Sequence, residues 1–214
     1  KPVVFTNTGN PIEAGVGKSF EDHIPNITGI CTIMDFEIVL KLIKKLYPNA
    51  RKIGTLFTPN EIDSMLYLKK FSEIIANNSM EIIAVPVNGP SDIPEAAATL
   101  CSKNIDVVCQ IIDNVTGAAF AGISAAAKKS RIPLFCFGSQ NVKKGLALAA
   151  ASRDYYDCAR DAVAVGVRIL QGEKPVNIPI AKAQKTNIVI NKELTDFYNL
   201  NLTDENKKLF NEIY

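Results

Sequence analysis

Four polar clusters, each following a run of apolar residues, are the part of this sequence best suited to bind or react with a small molecule. They occupy residues 6–10, 58–61, 113–114 and 139–140 and consist of hydroxyl, amide and carboxylate side chains. Such groups hydrogen-bond polar solutes and can transfer protons. Because the clusters recur at equivalent points of successive apolar runs, they predict one shared site.

The sequence offers little for catalysis. His23 is the only histidine, it stands in a polar turn beside Pro25 and Asn26, and no Ser/His or Cys/His pairing is visible. No P-loop or dinucleotide-binding glycine motif is present. The five cysteines lack CxxC spacing, so neither a metal site nor a cofactor is expected. Carboxylates from separate strand ends could still form an acid–base pair, but binding without chemistry is favoured.

Composition and charge narrow the class of protein. The chain has 214 residues, of which 47% are hydrophobic and 21% are charged, as in ordinary globular domains. A net charge of +2 is too small to indicate nucleic-acid binding. No apolar run reaches the roughly 18 residues of a membrane span, and no signal peptide is recognisable.

An alternation of strands and helices positions the clusters. Apolar runs at 52–57, 81–87, 106–112 and 132–136 are separated by amphipathic runs, and an earlier strand covers residues 2–5. This pattern is typical of βαβ units with a parallel sheet, in which ligands bind outside the carboxyl ends of the strands. The fold class is therefore predicted to be α/β.

The remaining elements follow from caps and periodicity. Asp35 and Asp154 are expected to cap helices 36–47 and 155–171, and Thr203 a final helix to residue 214. Further helices are predicted at 11–20, 61–77, 91–103 and 115–130, and further strands at 28–33, 146–151 and 186–190.

The order of elements predicts two lobes. Residues 1–34 and 139–214 would form the first lobe, and residues 35–138 the second. Two crossing segments, near residues 30–35 and 138–145, would act as a hinge. A cleft between lobes is a preferred place for a ligand.

Short motifs in a fixed order resemble one known family over nearly the whole chain. The chain resembles the ABC-transporter substrate-binding proteins of the group that takes up aromatic amino acids and related small molecules. The matching pieces include Pro2-Val-Val-Phe5, Asn10-Pro11, Asn26-Ile-Thr-Gly29, Pro48-Asn-Ala-Arg-Lys-Ile-Gly54, Asp113-Asn114, Ile132-Pro-Leu-Phe135, Asp154-Tyr-Tyr-Asp157 and Ile169-Leu-Gln-Gly-Glu-Lys-Pro175.

This resemblance implies two Rossmann-like lobes of the periplasmic-binding-protein type, an extracytoplasmic location, a small-molecule ligand and a membrane permease as partner. It also implies that the first lobe is incomplete at its start. About three βα units, roughly 60–90 residues, would normally precede Val3, and the chain begins with Lys1 instead of Met. A partner chain could cover the apolar sheet surface that this leaves exposed.

Two departures from the family bear on the ligand. Gly9-Asn10-Pro11 stands where the family tends to carry Thr-Asp-Pro, and the acidic residue that the family often has near Gly138 is missing. An amide can still accept a hydrogen bond from an ammonium group, but without the charge. A ligand other than an amino acid therefore stays open.

The candidate ligand-binding residues come from the strand ends, and each also has a purely structural alternative. Thr6, Thr8 and Asn10, beside a helix start at Pro11, would suit a carboxylate, and Asp113 would suit an amine. Turn formation and helix capping, with Asn60 and Asp154 as N-caps, explain the same residue types. The full set is Thr6, Thr8, Asn10, Asn60, Glu61, Ser64, Asp113, Asn114, Ser139, Gln140 and Asp154.

The favoured function is capture of a small solute for an ABC importer, by lobes that close on it. The alternative is a ligand-sensing module of a regulator or receptor with the same fold. An enzyme on a doubly wound sheet is a third hypothesis.

Overall fold

The structure is a computed structural model that describes residues 1–214, and it divides into two compact units. The small unit consists of residues 1–34 and 153–186. The large unit consists of residues 35–152 and 187–214. The chain passes from one unit to the other three times, at residues 34/35, 152/153 and 186/187, where the sequence predicted two crossings.

The strands alternate with helices as the sequence predicts for most of the chain. The strands are β1 (Val3–Thr8), β2 (Ile27–Cys31), β3 (Lys52–Phe57), β4 (Glu81–Pro86), β5 (Val107–Gln110), β6 (Leu134–Cys136), β7 (Ala149–Arg153), β8 (Ala181–Lys182), β9 (Thr186–Ile190) and β10 (Glu212–Ile213). The helices are α1 (Phe36–Leu46), α2 (Ile62–Asn77), α3 (Ile93–Cys101), α4 (Asn114–Ala118), α5 (Phe120–Lys129), α6 (Ser139–Lys143), α7 (Tyr155–Leu170), α8 (Lys192–Phe197) and α9 (Asp204–Lys207).

A seven-stranded sheet forms the frame of the large unit. Its strand order is β10-β9-β7-β6-β5-β3-β4. The pairs from β4 to β7 are all parallel, as the βαβ rhythm predicts. Leu56, Leu100 and Ile123 belong to one buried cluster of this unit. The ring centroid of Phe36 lies 5.2 Å from those of both Phe71 and Phe137, in an aromatic group of the same unit.

The pairing of β7 and β9 explains why the unit boundaries differ from the predicted ones. Residues 139–152 and 187–214 were predicted in the first lobe, but they lie in the large unit. Phe135 of β6 pairs with Ala149 of β7, and β9 and β10 extend the same sheet. Residues 139–152 therefore continue the sheet of the large unit, and the chain returns to the small unit only at residue 153.

The small unit is a three-stranded sheet, in the order β1-β2-β8, with α7 packed on β1 and β2. Ile30, Cys158, Val165 and Ile178 are buried in its core. Strand β1 is an edge of this sheet, and Val3 is 47% exposed.

The predicted helix at 11–20 is not formed. One turn closes when the Ala14 N–H donates to the Asn10 carbonyl, and it ends at Gly15, whose φ is +81°. A left-handed residue at this point stops a helix, and glycine adopts that conformation without a steric cost. The later residues of this stretch form turns and bends.

Two other predicted helices are shortened. The stretch at 115–130 breaks at Ala119 into α4 and α5, and the final helix ends at Lys207 before β10. The predicted caps are confirmed, because the side chains of Asp35, Asp154 and Thr203 accept backbone N–H groups of their helices.

His23 has a structural role. Its Nδ1 lies 3.2 Å from the Ile24 carbonyl, its Nε2 lies 3.1 Å from the Ile178 carbonyl, and the residue is buried. The ring thus joins the loop before β2 to the segment before β8. None of the helices has both the length and the hydropathy needed to cross a membrane.

A substitution at Tyr47 tests the core of the large unit. Its phenol oxygen is buried without a hydrogen-bond partner, while its ring packs edge-on against Phe135. Tyr47→Phe removes an unpaired polar group, so we expect the free energy of unfolding at pH 7 to stay equal or to rise by up to about 1 kcal/mol.

The advantage of Tyr47→Phe should grow in alkali. Burial, followed by the neighbouring Tyr198, raises the pKa of Tyr47 above its ordinary value. Above about pH 10 the unfolded chain releases this proton and the folded protein retains it, so the wild type loses stability. Urea unfolding at pH 7 and 10.5 measures the difference, with the exposed Tyr156→Phe as control. A variant less stable by more than about 1 kcal/mol would show that the hydroxyl has a partner.

Candidate functional site

The predicted site residues of the large unit follow neighbouring strands. Strands β3, β5 and β6 are adjacent and parallel, so their carboxyl ends lie at one edge of the sheet. At that edge lie the turns and the helix starts that follow these strands, which contain Asn60, Glu61, Ser64, Asp113, Asn114, Ser139 and Gln140. The structure therefore brings together three of the four polar clusters, as expected for α/β sheets.

Asp113 holds two of these turns together. Its Oδ1 accepts hydrogen bonds from the Thr116 N–H at 2.7 Å and the Thr116 hydroxyl at 2.6 Å. Its Oδ2 accepts the Ser64 hydroxyl at 2.8 Å, and Ser64 Oγ accepts the Thr58 N–H at 2.8 Å. With 6% of its surface exposed, Asp113 is a buried carboxylate with three donors. It fixes the turn after β3 against the turn after β5.

Glu61 forms a second link between the same turns. Its Oε2 accepts the backbone N–H and the side-chain amide of Asn114, at 3.0 and 2.9 Å, and its Oε1 accepts the Val115 N–H at 3.2 Å. All three groups that donate these hydrogen bonds to Glu61 are uncharged. Two carboxylates, Glu61 and Asp113, thus concentrate negative charge at this edge.

Gln110 is a structural member of the site that the sequence did not predict. Strands β3 and β5 pair through Ile53–Val107 and Gly54–Val108. Beyond those pairs, the Gln110 side chain accepts the Leu56 N–H at 3.0 Å and donates to the Leu56 carbonyl at 2.9 Å. The amide side chain therefore takes over from the backbone ladder. A single glutamine inside an apolar strand is the signal that could have identified it.

The remaining residues of this edge are more accessible. Asn60, Asn114 and Gln140 are exposed, and Ser139 is half-buried at the start of α6. The N-cap of α2 is Glu61, whose side chain makes no capping bond, so the alternative role of Asn60 as N-cap is wrong. These side chains can reach a solute, whereas Ser64 and Asp113 are buried.

The small unit carries the fourth cluster at the end of β1. Thr6 Oγ1 lies 3.3 Å from Cys158 Sγ, and the Thr8 carbonyl accepts the Thr32 N–H at 2.8 Å. Asn10 Oδ1 accepts the N–H groups of Ile12 and Glu13 at 3.3 and 3.5 Å. Because no helix begins at Pro11, the carboxylate site expected from helix N-terminal amides is not formed.

Asp154 acts as the cap of α7, the structural alternative for this residue. Its Oδ1 accepts the Asp157 N–H at 3.0 Å. Lys185 lies near both carboxylates, with Nζ 2.9 Å from Asp157 Oδ2 and 3.7 Å from Asp154 Oδ2. The hydrogen bond to Asp157 is the main cause that raises the pKa of Lys185.

The chemistry of the large-unit edge is that of hydrogen bonding. The Ser64 hydroxyl is buried and already bonded to Asp113 and to the Thr58 N–H, so it is not placed as a nucleophile. No group of three or more His, Cys, Asp or Glu side chains is arranged to hold a metal ion. Fixed carboxylates surrounded by exposed amides suit recognition of a polar solute.

Comparisons with known proteins show the family to which the chain belongs. The family model described as ABC transporter substrate binding protein matches residues 1–209. A tyrosine-binding protein of Clostridioides difficile (strain R20291) is 28% identical over 192 residues, which are 90% of this chain and 55% of that protein. The chain therefore spans about half the length of this curated relative. The family predicted from the sequence is confirmed.

Solved structures show the same fold. An ABC domain from Streptococcus pneumonia in complex with L-Trp has a TM-score of 0.89 and 23% identity, over 100% of this chain and 72% of that chain. The ligand-free, open structure of a substrate-binding protein with adhesive properties from Clostridium difficile has a TM-score of 0.81 and 24% identity, over 95% and 68%. These likenesses confirm the predicted α/β, periplasmic-binding-protein-like fold.

Substitution of Asp113 should show that it supports the site structurally. Asp113→Ala leaves Ser64 and both donors of Thr116 without their acceptor, so we expect a loss of about 2–4 kcal/mol in the free energy of unfolding. Asp113→Asn keeps the acceptor for Thr116 and should lose about half as much. Urea denaturation measures both values.

Glu73→Gln, at an exposed position of α2, is the matched control and should change stability by less than about 0.5 kcal/mol. If Asp113→Ala were as stable as this control, the buried carboxylate would not hold the two turns together.

Proposed function

Because the chain belongs to the family of ABC transporter substrate-binding proteins, we propose that it captures a small molecule, an amino acid or a related aromatic or polar solute, and delivers it to a membrane permease. In this role it performs no chemistry and works outside the cytoplasm. The observation that carries the proposal is the edge of the large unit, where buried Asp113 and Ser64 position exposed side chains.

In this proposal, one group of residues positions the turns and a second group contacts the solute. Ser64, Asp113 and Glu61 position the turns, because their oxygens already bond to protein donors. Direct contacts come from the more accessible side chains of the predicted set. These are Thr6, Thr8, Asn60, Asn114, Ser139 and Gln140.

The charge at the large-unit edge favours a ligand with an ammonium group. Glu61 and Asp113 place two carboxylates in adjacent turns, and their bonds to uncharged donors leave the negative charge in place. The oxygen of Asn10, by contrast, is engaged by backbone N–H groups. The names of two relatives, which bind tyrosine and L-Trp, support an aromatic amino acid as the ligand.

Capture would follow from a shift in population. A solute contacted by side chains from both units favours those conformations in which both sets of contacts are made. Domain closure on a ligand is a common conformational switch of hinged binding proteins, and a permease can distinguish the liganded form from the free form.

Calorimetry and thermal unfolding with L-tyrosine and L-tryptophan test the ligand class. A ligand at 100 times its dissociation constant stabilises the folded state by about 2.7 kcal/mol, which raises the melting temperature by several degrees. D-Tyrosine and arabinose serve as controls and should have little effect. A cooperative transition that neither L-amino acid shifts would reject an aromatic amino acid as the ligand.

A variant at Gln140 tests the site with little risk to the fold, because this side chain is exposed. We expect Gln140→Ala to weaken binding of the amino acid by about 3–10-fold, the value of one neutral hydrogen bond, with an unchanged melting temperature of the free protein. Gln171→Ala, at an exposed glutamine after α7, is the control. Equal affinities of the two variants would remove Gln140 from the site.

A further inference from the structure

One arginine lies where the three connecting segments of the chain come together. The chain changes unit at residues 34/35, 152/153 and 186/187. Arg153 is the first residue after the second crossing. Its Nε donates to the Ile33 carbonyl at 3.0 Å, and its Nη1 donates to the Thr186 hydroxyl at 2.6 Å. Ile33 lies just before the first crossing, and Thr186 just before the third.

The second and third segments contain β7 and β9, which are hydrogen-bonded neighbours in the seven-stranded sheet. Backbone pairing joins the first segment to the third only as far as the sheet of the small unit extends. Cys31 of β2 pairs with Lys182 of β8, and the Ala183 N–H donates to the Cys31 carbonyl at 2.8 Å. Toward the crossings, the Arg153 guanidinium continues this connection by its bonds to Ile33 and Thr186. A side chain thus links the segments beyond the end of the ladder.

Lys185 adds an ionic link between the second and third segments. It precedes Thr186 in the chain and lies near the carboxylates of Asp157 and Asp154. Asp154 in turn follows Arg153 and caps α7. Arg153, which belongs to the second segment, bonds to both the first and the third.

We infer that Arg153 is a positioning residue that binds the three connecting segments into one hinge element and so limits the relative motion of the two units. Its guanidinium suits this task because it is planar and presents several donors in a fixed geometry. A lysine keeps the charge, but its single ammonium group on a flexible stem cannot reproduce both bonds in the same geometry.

A looser hinge element would also change ligand binding, a consequence that rests on the proposed function. The apparent dissociation constant equals the intrinsic one divided by the fraction of molecules that are competent to bind. Loosening the hinge element spreads the free protein over more conformations and lowers that fraction. Affinity should therefore fall although Arg153 does not touch the solute.

Distances between spin labels test the hinge element without any ligand. Labels are attached to cysteines introduced at Lys69 of the large unit and Val163 of the small unit, both exposed, in a Cys101→Ser background. We expect Arg153→Lys to broaden the distance distribution and Thr186→Val, which removes one acceptor, to broaden it less. Distributions as narrow as that of the parent protein in both variants would overturn the inference.

Arg168→Lys is the matched control. Arg168 also donates two hydrogen bonds, both of 2.7 Å and both to Glu173, but it lies near the far end of α7 from the connecting segments. The distance distribution of Arg168→Lys should equal that of the parent protein. Broadening by this control equal to that by Arg153→Lys would also overturn the inference. If Arg153→Lys does not fold, Thr186→Val decides the test, because valine keeps the shape of threonine.

Calorimetry with L-tyrosine and L-tryptophan provides the second measurement. Arg153→Lys should raise the apparent dissociation constant at least threefold, and Arg168→Lys should leave it unchanged. If Arg153→Lys broadens the distance distribution but binds the amino acid as tightly as the parent protein does, the link between the hinge element and ligand binding is rejected. If the unsubstituted protein binds neither amino acid, the proposed ligand class fails, while the label distances still decide on the hinge.

Discussion

The buried carboxylate of Asp113 is the constraint on which the geometry of the large-unit edge depends. A charge with so little contact with water is stable only when several donors replace its hydration. Ser64 of α2 and Thr116 of α4 supply those donors, and Ser64 also receives the Thr58 N–H. The turns after β3 and β5 therefore cannot move independently. The link from Glu61 to Asn114 acts between the same two turns.

This arrangement separates positioning from recognition. Oxygens that are saturated by protein donors gain little from a ligand, but they hold the neighbouring backbone in one conformation. A solute then meets side chains whose ordering cost has already been met during folding, which favours affinity. Gln110 contributes in the same way, since its amide bonds to Leu56 replace the backbone pairing where β3 and β5 separate.

Local signals in the sequence were sufficient for the order of strands and helices and for the caps at Asp35 and Asp154, because apolar periodicity and capping act over a few residues. They were misread at Gly15, whose left-handed backbone conformation stops the helix expected at Pro11. They were insufficient where residues far apart in the sequence pair, and the lobe boundary shifts because β7 and β9 pair within the large sheet. Among the predicted site residues, the sequence located the edge but could not separate buried Asp113 from exposed Asn114.

The role of Arg153 is another feature that could not be predicted from local sequence signals. Its partner Ile33 is 120 residues away in the chain, and an arginine at the end of a strand has no local pattern that reveals such a contact. Its value lies in its position, because β2 and β8 no longer pair beyond Cys31 and Lys182, and the bond from Arg153 to the Ile33 carbonyl connects the first segment to the other two past that point. The two directed bonds of a guanidinium restrain the segments more than a point charge does. Rigid strand ends and a restrained hinge then have the same effect on affinity, since both reduce the number of conformations from which a solute selects the binding-competent one.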